Sequence, residues 1–299
     1  MKSVFSKILV VLITTTNLMY AQTKLSYNLK VGDQFKMEQV ANQDVAQDMN
    51  GKKHEMKNLI EGDFTFVVEA VNDSLYTLKF KFDRFKMVST SSLMGEILSV
   101  NTAANIAEDD IEGKIFAELV KVNLTMMMYK NGKIKFIEGS NALISQMISA
   151  VGDIDDFTKE VMKESMKGEF SNESLAMSFE QMTFLYPNET VKIGDTWNNN
   201  FKGELSSNNT WTLKNITNDD VNITGVSIVN FFNKDTDVEM KLKGDMTSNL
   251  TTSLKTGFIK TMTTTSTVIG NSIMHRMNDL KIPTTISSNI TYKIKKHVQ

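Results

Sequence analysis

The chain of 299 residues contains no cysteine. This absence excludes a disulfide framework, so the fold must be stabilised by its hydrophobic core alone. It also excludes thiol catalysis and leaves no thiol to which an exported chain could attach a lipid anchor. The three histidines, His54, His275 and His297, have no second His, Cys or paired acid at a metal-ligand spacing. We therefore expect no metal site and no cofactor.

Blocks of positive charge are absent as well. The sequence has 33 Lys and Arg residues against 35 Asp and Glu residues, interspersed along the chain, with a net charge of −2. Nucleic-acid binding rests on a concentrated positive surface, so this partner is disfavoured. The sequence also lacks G-x-S-x-G, H-E-x-x-H and glycine-rich phosphate-loop motifs. We expect a protein that is not an enzyme.

The only marked hydrophobic run is short and stands near the start of the chain. Lys2 and Lys7 accompany the apolar residues 8–13, and the small residue Ala21 precedes Gln22. This layout is typical of a secretory signal peptide over residues 1–21, although Met19 is large for the position three before the cut. A bilayer span needs roughly 20 apolar residues, so no transmembrane segment is expected after cleavage. The mature protein is expected to be exported, to the periplasm in the first interpretation and to the medium in the second.

Strict alternation of apolar and polar residues predicts antiparallel strands in the first half of the chain. One apolar face follows residues 64–70, and after a turn at residues 72–74 a second follows residues 76–82. Beyond Arg84 the apolar positions shift to Phe85 and Met87. A shift of one residue exchanges the two faces of a strand, so we expect a bulge or a sharp bend near residues 83–84.

The remaining chain divides into a helical interval and a β-meander. Apolar residues recur at helical spacing over residues 143–182, and Pro187 follows. Predicted strands then cover 211–217, 221–232, 236–242, 246–254, 258–269, 272–278 and 284–295, with short connections that only antiparallel neighbours allow. The fold class is α+β, mainly antiparallel β, with two curved sheet units joined by a methionine-rich helical segment. The boundaries are 22–140 for the N-terminal β unit, 141–186 for the helical segment and 187–299 for the C-terminal meander.

Two pairs of segments resemble each other. Residues 29–35 (LKVGDQF) resemble residues 191–197 (VKIGDTW), and residues 130–135 (KNGKIK) resemble residues 255–260 (KTGFIK). Internal duplication is one interpretation, and chance similarity of common turns is the other. In both interpretations the paired residues form structural turns, because a carboxylate beside glycine closes a turn on nearby amides. These turn residues are Gly32, Asp33, Gly194 and Asp195.

The 20 methionines suggest an adaptable apolar surface. A curved sheet lined by aromatic residues and covered by methionine-rich helices could hold an apolar ligand, whereas an ordinary packed core is the simpler alternative. The candidate lining residues are Phe64, Phe66, Tyr76, Leu78, Phe80, Phe82, Met126, Met127 and Met128.

The Gly-Asp turns, the Gly132–Gly139 strand before a helix and the Tyr186-Pro187 step into residues 193–197 resemble an uncharacterised family of exported β-rich proteins of Bacteroidota, a domain of unknown function. The resemblance covers nearly the whole mature chain and implies no catalytic residue. In outline the family is similar to periplasmic lipoprotein-carrier half-barrels, which is an analogy of fold only. It favours a non-enzymatic periplasmic protein that binds a lipid, another apolar molecule or a lipid-modified partner on a concave sheet. The alternative is an envelope protein-interaction or structural module with no small-molecule ligand.

Overall fold

The computed structural model describes residues 22–49, 51–234 and 236–298. The predicted signal peptide lies outside the described residues. Within the described ranges, twelve strands form one open, curved antiparallel sheet. The strands are β1 Gln34–Met49, β2 Lys52–Val71, β3 Leu75–Ser91, β4 Gly95–Asn101, β5 Leu124–Tyr129, β6 Ile134–Glu138, β7 Thr196–Phe201, β8 Leu205–Ile216, β9 Asp220–Lys234, β10 Val238–Ser253, β11 Ile259–Met274 and β12 Leu280–Val298. The helices are α1 Ile111–Ala117, α2 Ser140–Ser149, α3 Asp156–Phe170 and α4 Asn172–Thr183, with short 3-10 helices at Glu118–Val120 and His275–Met277.

The order of strands shows how the chain builds this sheet. It runs β6-β5-β3-β2-β1-β12-β11-β10-β9-β8-β7, and β4 pairs with β3 beside this path. Strand β1 lies in the middle, and from it the chain reaches the edge strand β6, crosses through the helices to the other edge strand β7 and returns to the middle with β12. The predicted mainly antiparallel α+β class is confirmed. The two predicted β units are the halves of one sheet, because β12 pairs with β1 along nearly the full length of β1.

The predicted bulge is present. Asp63 pairs with Arg84 and Phe64 pairs with Phe82, which leaves Asp83 as the extra residue of β3. The bulge places Arg84 on the outer face beside Glu61 of β2, where the guanidinium donates to the carboxylate at 2.7 Å. Hydrogen bonds from Arg84, and from a lysine further along β3, hold the pKa of Glu61 below its ordinary value.

Two predicted strand breaks in the meander are wrong. The sequence predicted separate strands on either side of residues 243–245 and of residues 270–271, but β10 and β11 each run through without interruption. Gly244 and Gly270 are needed inside these strands because the neighbouring backbone comes very close. A Cβ atom on Gly244 would lie 1.8 Å from the carbonyl oxygen of Thr267, and one on Gly270 would lie 2.1 Å from that of Lys241. Glycine within a strand marks such a close approach, and only the paired strand reveals it.

The two Gly-Asp turns have the same structure. Gly32 and Gly194 adopt φ values of 93° and 94°, in the left-handed region that favours glycine. Each aspartate accepts a hydrogen bond from the backbone amide three residues earlier, at 2.8 Å for Asp33 and 3.1 Å for Asp195. The amides of the two glycines also donate to equivalent carbonyls on the neighbouring strand of each half. This correspondence is what the duplication interpretation expects.

Helix α4 and the extended residues 22–33 cover the inner face of the sheet at one end. Phe179 of α4 packs against Phe64, Phe66 and Phe80, with ring centroids 5.9, 6.1 and 4.7 Å away. Tyr27 of the N-terminal segment donates its hydroxyl to the carbonyl oxygen of Thr183 at the end of α4. Helix α4 contacts both edge strands, β6 and β7. The main core therefore joins both halves of the sheet through α4.

Candidate functional site

The residues predicted to line a ligand site form the packed core of the N-terminal half. Eight of the nine are buried with at most 8% of their surface exposed, and Met127 alternates to the other face of β5, where it is partly buried. The Tyr76 hydroxyl is occupied by a hydrogen bond to the carbonyl oxygen of Tyr27 at 2.9 Å. None of the nine residues lines the cavity that lies in the other half of the sheet.

That cavity lies on the inner face of the C-terminal half and has a volume of about 140 Å³. Strands β7 to β12, the adjacent β1 and helix α4 supply its wall. The apolar lining residues are Phe201, Leu205, Phe231, Met246, Met262, Val268, Ile286 and Ile290. The polar lining residues are Gln43, Gln181, Ser248, Thr264, Ser266, Ser288 and Tyr292. We call this site the inner cavity.

Strand alternation and register bring these residues together. In β11 every second residue from Met262 to Val268 faces the inner cavity, and in β12 every second residue from Ile286 to Tyr292 does so. The register pairs Ser266 directly with Ser288. Side chains opposite each other on one face lie close together, so the two strands form one continuous wall with a polar middle.

No charged side chain among the described residues lines the inner cavity. Ser248 and Thr264 share a hydrogen bond of 3.0 Å between their hydroxyl oxygens. Four other polar lining residues form no side-chain hydrogen bond with the described part of the chain, namely Gln181, Ser266, Ser288 and Tyr292. Burial raises the pKa of Tyr292 to about 12, so its hydroxyl is neutral at ordinary pH. The wall thus offers uncharged donors and acceptors among apolar surfaces.

A groove of about 220 Å³ adjoins the inner cavity and shares Gln181, Leu205 and Phe231 with it. The groove lies between helices α3 and α4 and the β7–β8 turn. Its lining includes the charged residues Lys202 and Glu204 of that turn. Glu169 of α3 also lines the groove, so charged side chains lie at the groove, whereas the described lining of the inner cavity contains none.

The histidines that the sequence analysis considered as metal ligands contact other side chains in the structure. Both ring nitrogens of His54 lie within hydrogen-bond distance of side chains, Gln47 at 3.1 Å and Ser91 at 2.9 Å. His297 stacks on Phe35 with ring centroids 4.4 Å apart. Within the described ranges, no group of three His, Cys, Asp or Glu residues has a geometry that could hold a metal ion. Nor does any helix in these ranges have the length and apolar character needed to cross a membrane.

Sequence reasoning missed the residues of the inner cavity although it predicted their strands. In β11 the sequence M-T-T-T-S-T-V is polar on both faces between Met262 and Val268. Apolar alternation cannot show which face of such a strand is inward. The available signal is the recurrence of Met262 and Val268 six residues apart, on the same parity, and it is too sparse to separate a cavity wall from a solvated surface.

The fold and the cavity define a class of protein. Its members have an open antiparallel sheet whose inner face is partly covered by helices, and an uncharged cavity remains beside them. Within that class, residues 73–259 match the model described as "Family of unknown function (DUF6263)", and the chain belongs to this family. A search of curated proteins found no match. Among solved structures, one described as "Lipid-protein interactions in lipovitellin" is similar with a TM-score of 0.54 and 10% sequence identity. The similarity covers 91% of this chain and 26% of that chain, so this chain spans about a quarter of the lipovitellin chain. At this identity the likeness shows the fold alone.

Proposed function

We propose that this is a non-enzymatic exported protein that holds the apolar part of a ligand in the inner cavity. The observation that carries the proposal is a cavity with apolar walls. None of the described residues that line it is charged, and several of them carry neutral hydrogen-bonding groups that have no partner in the described part of the chain. A buried charge is costly unless it is paired, so the portion of the ligand inside the cavity must be uncharged. A few convergent polar groups in an apolar pocket are typical of ligand sites.

The volume limits what enters. An apolar cavity of roughly 150 Å³ is large enough for a molecule the size of benzene. The inner cavity, at about 140 Å³, therefore accommodates a short apolar group rather than a whole lipid. A longer ligand would extend through the groove, with its polar end beside Lys202 and Glu204. A lipid or a similar amphipathic molecule fits this division, and lipid–protein interactions are described for lipovitellin, which has a similar fold.

Exchange of one inward residue tests the site. Replacing Ser288 with leucine fills the inner cavity, whereas replacing Ser287 with leucine places the same side chain on the outer face of the same strand. We expect Ser288→Leu to weaken uptake of a fluorescent fatty acid or fatty alcohol at least about tenfold, with Ser287→Leu close to the unmodified protein. Equal binding by both variants would contradict the assignment. A ligand-free mass after purification from the native host, together with no probe uptake, would refute the carrier function.

Export is a separate part of the proposal. It is supported by the basic start, the short apolar run and the Ala21–Gln22 junction, which resembles signal cleavage in Bacteroidota. N-terminal sequencing of the protein from fractionated cells should find Gln22, or a residue close to it, as the first residue of a periplasmic species. Recovery from the medium would support secretion instead, and an intact Met1 in the cytoplasm would refute export.

The packed N-terminal half favours a second candidate function. Its inner face is filled by Phe179 and its neighbours, so the described part of this half offers no ligand cavity at the predicted lining residues. An envelope protein-interaction module would need no such cavity. Crosslinking in intact cells followed by co-purification distinguishes the two functions, because a stoichiometric protein partner without a bound small molecule supports the module.

A further inference from the structure

Large apolar side chains are exposed at one end of the sheet, away from the N-terminal segment. Leu93 and Met94 at the β3–β4 turn have 68% and 71% of their surface exposed. Met277 in the β11–β12 connection has 53% exposed, and Met49 at the end of β1 has 37%. These connections lie at the same end because the start of β12 pairs with the end of β1 and the first part of β2 pairs with the end of β3. We call this end the tip surface.

The tip surface also carries positive charge. Lys52, Lys53 and Lys281 line a surface cavity of about 250 Å³ together with Met49 and Leu93. None of the three lysines forms an ion pair with any residue in the described ranges, and neither does Glu55, which lies two residues from Lys53 on β2. Asp48, the acid in this lining, accepts a hydrogen bond from the backbone amide of Gly51 at 2.7 Å. Arg276 and Asp237 form an ion pair, and so do His275 and Asp279 when the histidine is protonated.

We propose that the tip surface docks on an anionic lipid bilayer. Protruding leucine and methionine side chains can bury their apolar surface at the boundary between headgroups and acyl chains. Lysines beside them reach the phosphate groups while their alkyl stems lie along the apolar surface. An anionic bilayer complements both features over a broad plane, which three separate connections of the sheet can contact together. This inference goes beyond the proposed ligand site and does not depend on what the inner cavity holds.

Vesicle sedimentation tests the charge requirement. The protein is mixed with vesicles of phosphatidylcholine alone or of phosphatidylcholine with phosphatidylglycerol. We expect binding to the anionic vesicles that weakens as salt is added. A variant with Lys52, Lys53 and Lys281 all changed to glutamine should bind on the order of 100-fold more weakly, since each cation near an anionic surface contributes roughly fivefold. The matched control changes Lys192, Lys214 and Lys243, exposed lysines elsewhere, to glutamine and should bind like the unmodified protein.

Because the chain contains no cysteine, one introduced cysteine can report contact with the bilayer at a chosen residue. A Met94→Cys variant carries a unique thiol for an environment-sensitive dye, and Val226→Cys provides a control on an exposed residue of β9. The dye at residue 94 should shift to the blue with anionic vesicles, and the dye at residue 226 should not. Absence of vesicle binding, equal loss in the two lysine variants, or a shift at both dyes would overturn the proposal. Normal uptake of the fluorescent fatty acid in the same samples would show that the proposed ligand site stands even though the bilayer proposal has failed.

Discussion

Four glycines allow a quantitative test of how the two halves of the sheet are joined. Gly32 and Gly194 are the matching glycines of the two similar Gly-Asp segments, and both have open space where a Cβ atom would lie. Gly132 and Gly257 are the matching glycines of the second pair of similar segments, and both are crowded by backbone. All four have positive φ values between 69° and 94°, so an alanine at any of them is strained in a similar way. The comparison of the two pairs isolates the effect of close packing.

The expected cost follows from these contacts. A left-handed conformation costs a residue other than glycine about 1–2 kcal/mol, which is the prediction for Gly32→Ala and Gly194→Ala. A Cβ atom on Gly132 would lie 1.6 Å from the carbonyl oxygen of Thr183, and one on Gly257 would lie 2.3 Å from that of Ser26. The backbone must then move, and at Gly132 this disturbs the hydrogen bond from Tyr27 to Thr183. We expect a total loss of about 4–5 kcal/mol for each crowded glycine, in the range of severe single substitutions.

Urea unfolding followed by tryptophan fluorescence measures these differences. Trp197 and Trp211 are both buried, so their emission reports loss of the core. At roughly 2–4 °C per kcal/mol, thermal midpoints of the crowded and open variants should differ by about 6–12 °C. If Gly132→Ala were no less stable than Gly32→Ala, the close packing of α4 against the β5–β6 turn would be refuted. Clearly unequal losses at Gly132 and Gly257 would contradict the prediction of a similar cost at both sites.

Three further outcomes are expected. Phe179→Ala should lower the free energy of unfolding by about 3–5 kcal/mol in urea titration, because three core rings lose their partner, and a loss below about 1 kcal/mol would contradict this packing. Burial raises the pKa of Tyr292, so the contribution of its hydroxyl to the free energy of unfolding is full below the unfolded pKa near 10 and is lost as pH rises through about 12. Tyr292→Phe should therefore make the loss of stability at alkaline pH less steep, and an unchanged pH profile would refute the burial of that hydroxyl. Glu61 has a lowered pKa, so the contribution of its carboxylate to the free energy of unfolding is present above the ordinary pKa of 4.5 and is lost as pH falls through the lower pKa of the folded state. Glu61→Gln should therefore make the thermal midpoint less sensitive to acid, which a pH series of thermal melts would show.

Local pattern was sufficient to predict much of the fold. Alternation over residues 64–82 predicted the β2–β3 hairpin, and the parity shift after Arg84 predicted the bulge at Asp83. Helical spacing over residues 143–182 predicted the region of α2, α3 and α4. These features depend on interactions between residues that are near in sequence or directly paired across a short turn. The pattern of side chains records such interactions directly.

The wrong strand breaks show where local pattern fails. A Lys-Gly-Asp sequence is a common turn, so Gly244 predicted a connection. In the folded chain this glycine is required by the carbonyl of Thr267, on a neighbouring strand more than twenty residues away. The choice between a turn and a close strand crossing depends on that neighbour, and the sequence around Gly244 contains no information about it.

The candidate site depended even more on tertiary structure. Phe64, Phe66 and Phe80 are the most conspicuous apolar residues of the N-terminal half, and they attract Phe179 from α4 and become core. The inner cavity is instead built from sparse residues such as Ser266, Ser288 and Tyr292 on strands that the chain reaches only after crossing the sheet. Strong apolar residues pack against each other, and a cavity remains where the wall is too polar or too sparsely apolar to be filled.

The sequence by itself determined the antiparallel class, the helical interval, the Gly-Asp turns and the lack of any disulfide, because each follows from residue type or from short-range periodicity. Only the tertiary structure decided that β1 and β12 join the two halves into one sheet and that α4 covers one part of the inner face while leaving a cavity in the other. Those outcomes depend on which distant surfaces meet. Burial of apolar area favours contact in general but does not specify the partner until the whole chain has folded.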